Sequence, residues 1–353
     1  MASATLLLGL ASIGCLHAQG ATSASPVPWS APASVSVAEE EKTFENGPDK
    51  LSGTLYLARD RKPQSAIVVT HAAGFPLRDM PLYRHLKEML PPLGIAVFVY
   101  DRRGSGRSGG ELESSDYALL ADDAIAAVRM LKADPRIDPR RVGIWGLSQG
   151  GWLALLAASR SAEPRFIISA SAPLVSPDVQ MMFRSANSLR VHGYSPADIE
   201  QMTATRKAVD DYMRGTGDRS TAQRLVDAAK TKPWFKLLYM SETVGDRATS
   251  RWRKEIEFDP VRTIEGVKIP ALVIYGAADP VVPVAVSVER LRATHPKLDI
   301  VVIAGADHAM QVSVPPQVQM DPARIHEQAP ESVEYFAILA SWLTLQGIVT
   351  SLM

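Results

Sequence analysis

The chain has 353 residues, 46% of them hydrophobic and 22% charged, with 38 basic side chains against 38 acidic ones. This composition excludes a disordered, collagen-like or coiled-coil chain, and zero net charge leaves no overall field to attract nucleic acid. Single cores stop growing at roughly 250–300 residues, so one large domain with an addition, or two domains, is expected.

Residues 2–16 are almost wholly apolar or small, and His17-Ala18-Gln19 offers a cleavage point. The stretch is too short to span a bilayer and suits a signal-peptide core, which predicts an exported protein with a signal segment over 1–18. Cys15 is the only cysteine, and lipid attachment there is the minor alternative. Cleavage after Ala18 leaves a chain with no thiol, hence no disulfide and no cysteine nucleophile. Residues 19–42 read as a flexible linker on account of their Ala-, Ser- and Pro-rich start. No later run is apolar and long enough for a membrane span.

Residues 51–57 alternate loosely and predict an antiparallel strand near a sheet edge. Short continuous apolar runs follow at 66–70, 95–100, 141–146, 166–170, 271–275 and 298–303. Such runs suit strands buried on both faces of a parallel sheet. Helical stretches lie between them, at 116–132 and 152–159, and Val333, Phe336, Ala337, Leu339 and Leu343 mark a terminal helix. The alternation predicts a three-layer α/β fold. Residues 175–258 break it, being helical and polar throughout, with Ser195-Pro196-Ala197-Asp198 as a helix start. They read as a helical cap inserted into a core made of 43–174 and 259–353. Ile199, Met202, Val209 and Met213 form a stripe by which cap helices pack on each other. Trp234, Phe235 and Tyr239 are candidates for lining a substrate pocket.

Gly146-Leu147-Ser148-Gln149-Gly150 fits G-x-S-x-G, but so does Gly106-Arg107-Ser108-Gly109-Gly110. Context separates them. Ser148 follows a buried strand and opens a helix, where a sharp turn lifts the hydroxyl above the sheet. Ser108 sits in a glycine-rich loop with no helix directly after it, and reads as a tight turn. A serine hydroxyl needs a histidine to take its proton and a carboxylate to fix that histidine. Asp279 follows the strand ending at Tyr275, and His308 follows the next strand, giving the order Ser148, Asp279, His308. Asp307 adjoins His308 but diverges from it along the backbone. His85, His192, His295 and His326 read as surface or packing residues. The oxyanion hole needs two backbone N–H groups, and Gln149 and Ala73 are the candidates. His71 reads as a brace for the loop that carries Ala73.

These landmarks, in this order, resemble the α/β-hydrolase superfamily from about Phe44 to Leu343. The resemblance is nearest to bacterial exported serine esterases and to prolyl-oligopeptidase or serine-aminopeptidase-like hydrolases. Asn46-Gly47, His71 with Gly74, Arg78-Asp79 and the loop Asp101-Arg102-Arg103-Gly104-Ser105-Gly106 belong to it. It implies an α/β-hydrolase fold with a mostly parallel sheet, and hydrolysis through a Ser148-His308-Asp279 triad. One departure is Ala72, where the family pattern has glycine after the histidine. If that position needed φ > 0, alanine would cost about 1 kcal/mol or more.

The substrate expected is a small-molecule carboxylic ester. The alternative within enzymes is a short peptide-like substrate cleaved by a peptidase or amidase, and from another class, a non-catalytic binding protein that uses the cap as a ligand pocket. No H-E-x-x-H, Cys/His cluster or Walker sequence calls for a metal or cofactor, and Gly104-Ser105-Gly106 lacks the third glycine of a dinucleotide fingerprint.

Overall fold

The computed structural model of the protein describes residues 35–59, 63–112, 115–312, 314–324 and 329–349. The expected signal segment with Cys15, the first part of the linker and His326 lie outside the described residues. The linker boundary at 42 is corrected, because the chain already forms strand β1 at Val37–Asn46. Glu39-Glu40-Glu41-Lys42 hides that strand from a hydropathy reading. As the outermost strand, β1 keeps its charges in solvent and buries only Ala38 and Phe44. Two of its glutamates are clamped from neighbouring loops, Glu41 by Arg78 at 2.8 Å and Glu40 by Arg136 at 2.6 Å.

β1 pairs antiparallel with β2 (Asp49–Ala58) through a two-residue turn at Gly47-Pro48, where Gly47 takes φ 64°. The remaining strands are β3 (Gln64–Thr70), β4 (Ile95–Tyr100), β5 (Ile137–Leu147), β6 (Ile167–Ala170), β7 (Ala271–Gly276) and β8 (Asp299–Ile303). The sheet order is β1-β2-β4-β3-β5-β6-β7-β8, and every pairing beyond β2–β4 is parallel. Side chains along β3 and β4 alternate between two cores, as the strand period requires. Val68, Ala96 and Phe98 face one side, with α2 (Tyr117–Lys132), α3 (Gln149–Arg160), α8 (Pro260–Glu265) and α9 (Val284–Thr294). Ile67, Val69 and Val97 face the other, with α1 (Arg84–Met89) and α11 (Val333–Leu345). This is the α/β-hydrolase fold.

Between β6 and β7 the chain leaves the sheet for α4 (Pro177–Val191), α5 (Pro196–Arg214), α6 (Arg219–Ala229) and α7 (Arg251–Ile256) before α8 returns it. These helices hold a core of their own. Met202 and Met213 are buried in it, and Ile199 and Val209 pack against it. At the head of α5, Ser195 accepts the Asp198 N–H while the Asp198 carboxylate accepts the Ser195 N–H, with Pro196 in the first turn. That reciprocal cap fixes where the helix begins. A short helix, α10 (Pro316–Gln319), lies between β8 and α11. Among the described residues no helix is long and apolar enough to cross a membrane.

Candidate active site

The chain runs from β3 to β4 on one side and then to β5 on the other, so the loops after β3 and β5 diverge at the carboxyl edge of the sheet. Such switch points form crevices for ligands. Ser148 stands in the turn from β5 into α3, with φ 58° and ψ −119°. A non-glycine residue held there carries strain of order 1–3 kcal/mol. The turn is tight enough to demand glycine on both sides. A Cβ on Gly146 would collide with the Gly150 carbonyl, and one on Gly150 with the Thr70 carbonyl. Thr70 Oγ1 ties the two strand ends together, 2.8 Å from the Gly150 carbonyl and 3.1 Å from that of Trp145. Ser148 itself remains partly exposed.

Ser108 has a different setting. Its hydroxyl donates to the Asp101 carbonyl at 2.6 Å and accepts the Ser52 N–H at 3.0 Å. Both sides of the oxygen are engaged in holding a loop against β2, as expected of a turn residue.

Asp279 follows β7 and His308 follows β8. His308 Nδ1–H donates to Asp279 Oδ2 at 2.8 Å, and the other carboxylate oxygen accepts the N–H groups of Val281 and Val282 at 2.7 and 3.0 Å. The Asp279 side chain is wholly buried, whereas His308 keeps 19% exposure toward the site. With Nδ1 donating, the neutral ring turns a lone pair outward at Nε2. No hydrogen bond joins Ser148 Oγ to His308 in this structure. Asp307 points elsewhere: its carboxylate accepts the N–H groups of Ala309 and Gln311, both at 2.8 Å. Burial pushes its carboxyl up to about 6.

The loop after β3 is braced from beneath. His71 is fully buried, donates Nε2–H to the Tyr100 carbonyl, and is driven down to about 3 by desolvation and by the Arg102 guanidinium. Arg102 in turn donates to the carbonyls of His71 and Ala72 at 2.7 and 3.2 Å. The Ala72 N–H donates to Tyr83 Oη at 3.2 Å, so it is already engaged. Ala73 is exposed on the wall of the crevice. Ala72 is absent from the residues with positive φ, and Gly74 instead makes the left-handed turn at φ 78°. The alanine is therefore unstrained.

Ser148, Gln149, Ala73 and His308 share the wall of one cavity of about 790 Å³ between the sheet edge and the inserted helices. Met181, Tyr239 and Trp252 contribute apolar surface to it. The pocket expectation needs correction for two residues. Trp234 is only 1% exposed and Phe235 7%, and both belong to the core of the inserted helices. Trp234 Nε1–H donates to Asp198 at 2.9 Å, linking that core to the cap of α5. Tyr239 does line the cavity, with φ 52° and half its surface exposed. Sequence reasoning missed Arg184, which is buried on the cavity wall. Its signal was the four-residue spacing of Gln180, Arg184 and Ser188, a polar row that reads as a solvated helix face and is buried. Among the described residues no group of three or more His, Cys, Asp or Glu side chains is placed to hold a metal.

A fold of this order with a strained serine turn at the sheet's carboxyl edge defines the class, and comparison with known proteins names the family. The sequence profile described as "Alpha/beta hydrolase family" matches residues 67–319, more than half of the chain. The chain belongs to the α/β-hydrolase family. It is 36% identical over 121 residues to the thiohydrolase apmlB of Arthrinium phaeospermum, covering 34% of this chain and 38% of that one. It is 32% identical over 160 residues to the thiohydrolase aneE of Aspergillus aculeatus, covering 45% and 48%. The chain thus spans less than half the length of these two curated relatives. Among solved structures, the esterase Pf2001 of Pyrococcus furiosus superposes with a TM-score of 0.54 at 18% identity, over 87% of this chain and 91% of that one. That likeness concerns the fold.

Proposed function

We propose that the protein is a serine hydrolase that cleaves carboxylic esters through an acyl-enzyme. The observation that carries this reading is the convergence on one cavity wall of a strained, partly exposed serine and a histidine oriented by a buried carboxylate. Ser148 Oγ attacks the acyl carbon while His308 Nε2 takes its proton. Asp279 holds the ring in the tautomer that accepts at Nε2, and stabilises the imidazolium that forms. The backbone N–H groups of Gln149 and Ala73 receive the oxyanion, since the N–H of Ala72 is taken by Tyr83. His308 then protonates the departing alkoxide. Water, losing a proton to His308, attacks the acyl carbon; the ester bond to Ser148 then breaks as His308 returns that proton to Oγ, and the acid leaves. Oγ and Nε2 come within hydrogen-bond reach when substrate binds, as hydrogen bonds in ligand-free sites often tighten only then.

The inserted helices act in this reading as a cap that selects the acyl or alcohol group. The names of the two thiohydrolase relatives make thioesters the second substrate class to test. A panel of p-nitrophenyl esters, acyl thioesters and aminoacyl anilides decides the matter. Esters or thioesters should turn over and anilides should lag by at least about 100-fold, because an amine is a poorer leaving group. Preferred cleavage of the anilides would make the protein a peptidase or amidase instead, and no turnover of any of them would leave a binding protein.

A further inference from the structure

Arg184, on α4, is 5% exposed and lines the cavity that Ser148 and His308 share. Its Nη1–H donates to the Leu237 carbonyl at 3.2 Å, and its guanidinium lies 4.2 Å from the centre of the Tyr239 ring. Nη2 is buried with no hydrogen-bond partner. Among the described residues Arg184 forms no ion pair with a carboxylate. Several other charges on this wall are answered. Arg251 pairs with Glu255 at 2.6 Å, Arg206 is opposed by Asp210, and the Asp210 carboxylate also accepts Trp252 Nε1–H at 2.8 Å. Asp178, on the same helix as Arg184, is held by Arg214 at 2.7 Å. A guanidinium stays charged in proteins, and a buried charge without a counter-charge is costly, so its retention calls for a ligand that supplies one.

We infer that the cavity takes substrates bearing a carboxylate, which Arg184 binds while the ester or thioester carbonyl lies at Ser148. The inference rests on the hydrolase reading and gives it a substrate class, the mono-esters of dicarboxylic acids and their chemical kin. Tyr239 is the side chain that admits the anion. Its ring covers the guanidinium, it is half exposed, and its backbone sits at φ 52°. Moving the ring aside opens Nη2 to a planar carboxylate, the partner whose geometry best matches the guanidinium fork.

The test compares p-nitrophenyl hemiesters of adipate, pimelate and suberate with the methyl p-nitrophenyl diesters of the same acids, in which a neutral methyl ester replaces the free carboxylate. The wild-type enzyme should favour at least one hemiester by about tenfold in kcat/KM, the scale of one charge-assisted hydrogen bond. R184Q, which keeps a donor for the Leu237 carbonyl, should lose that preference through KM, its kcat/KM falling further on the hemiesters than on the neutral diesters. R184K should restore part of it. Equal rates on charged and neutral esters by the wild-type enzyme would overturn the inference without reference to any variant. If neither series is hydrolysed, the hydrolase reading fails by itself. Anion binding is then read separately, as binding of adipate to the wild-type protein but not to R184Q in calorimetry, and no adipate binding to either protein would overturn it too.

Discussion

Two serines in this chain satisfy the same five-residue pattern, and their surroundings differ: Ser148 stands partly exposed on the cavity wall, whereas the Ser108 hydroxyl is engaged within its loop. Ser148→Ala should lower kcat on an ester by about 10⁶, the scale on which removal of a triad nucleophile acts. Ser108→Ala should leave kcat nearly unchanged and lower stability by about 1–2 kcal/mol, since it strips hydrogen bonds from the Asp101 carbonyl and the Ser52 N–H. Steady-state kinetics with a denaturation curve for each variant checks both. At Asp307 the expected effect depends on pH. Its carboxyl is raised to about 6 in the folded protein, so the neutral form is the one that folding favours. The cost of burying the charge is absent below about pH 4, grows as pH rises, and is complete above about pH 6. Asp307→Asn, which can still accept the N–H groups of Ala309 and Gln311, should therefore melt higher than wild type at pH 8 and no higher at pH 4. A variant that melts lower at both would show that the carboxylate itself is needed.

At the scale of elements, the inserted helices divide into residues that hold them together and residues that face the cavity. Trp234 does the first. Its indole is fully packed and its N–H reaches the Asp198 that caps α5, so Trp234→Ala should cost about 3–5 kcal/mol and depress turnover of all esters alike. Tyr239→Ala should leave the melting temperature within a few degrees and change the ranking of substrates, because half of that side chain is already exposed. Acetate-to-octanoate profiles measured beside melting curves separate the two. A uniform loss for Tyr239→Ala would make it a packing residue as well. The contrast also shows where the sequence was ambiguous. Three aromatics in six residues look equivalent along the chain. Only the short helix at Pro233–Leu237 turns the first two inward, and Tyr239, just beyond it, outward.

For the whole molecule, most of the sheet was legible because its inner strands are buried on both faces and read as apolar runs, with the run at 95–100 matching β4 from end to end. β1 was not, since an edge strand keeps its charges in water and so resembles a linker. The chain order of Ser148, Asp279 and His308 was legible for a topological reason: each follows a parallel strand, so all three reach the same edge. Arg184 was not, because burial of a polar helix row depends on what packs across from it. The buried histidines set a global trend as well. His71 is held at about 3 and His85 at about 4, both mainly by desolvation, so folding favours their neutral forms. Their contribution to stability is full above about pH 6.5 and is lost as pH falls through the range between 6.5 and these values. Melting temperatures should drop steeply from pH 7 to pH 4.5, against the smaller opposing gain at Asp307, and His85→Leu should flatten the fall. A melting temperature that stays level over that range would contradict the burial of both rings. The central claim is that Ser148 is the nucleophile, and covalent labelling reads it most directly. Incubation with a fluorophosphonate, followed by intact mass and peptide mapping, should show one adduct per chain, on the peptide bearing Ser148, with activity lost in proportion. An adduct on another residue, or full ester turnover by an unlabelled Ser148→Ala protein, would contradict the account.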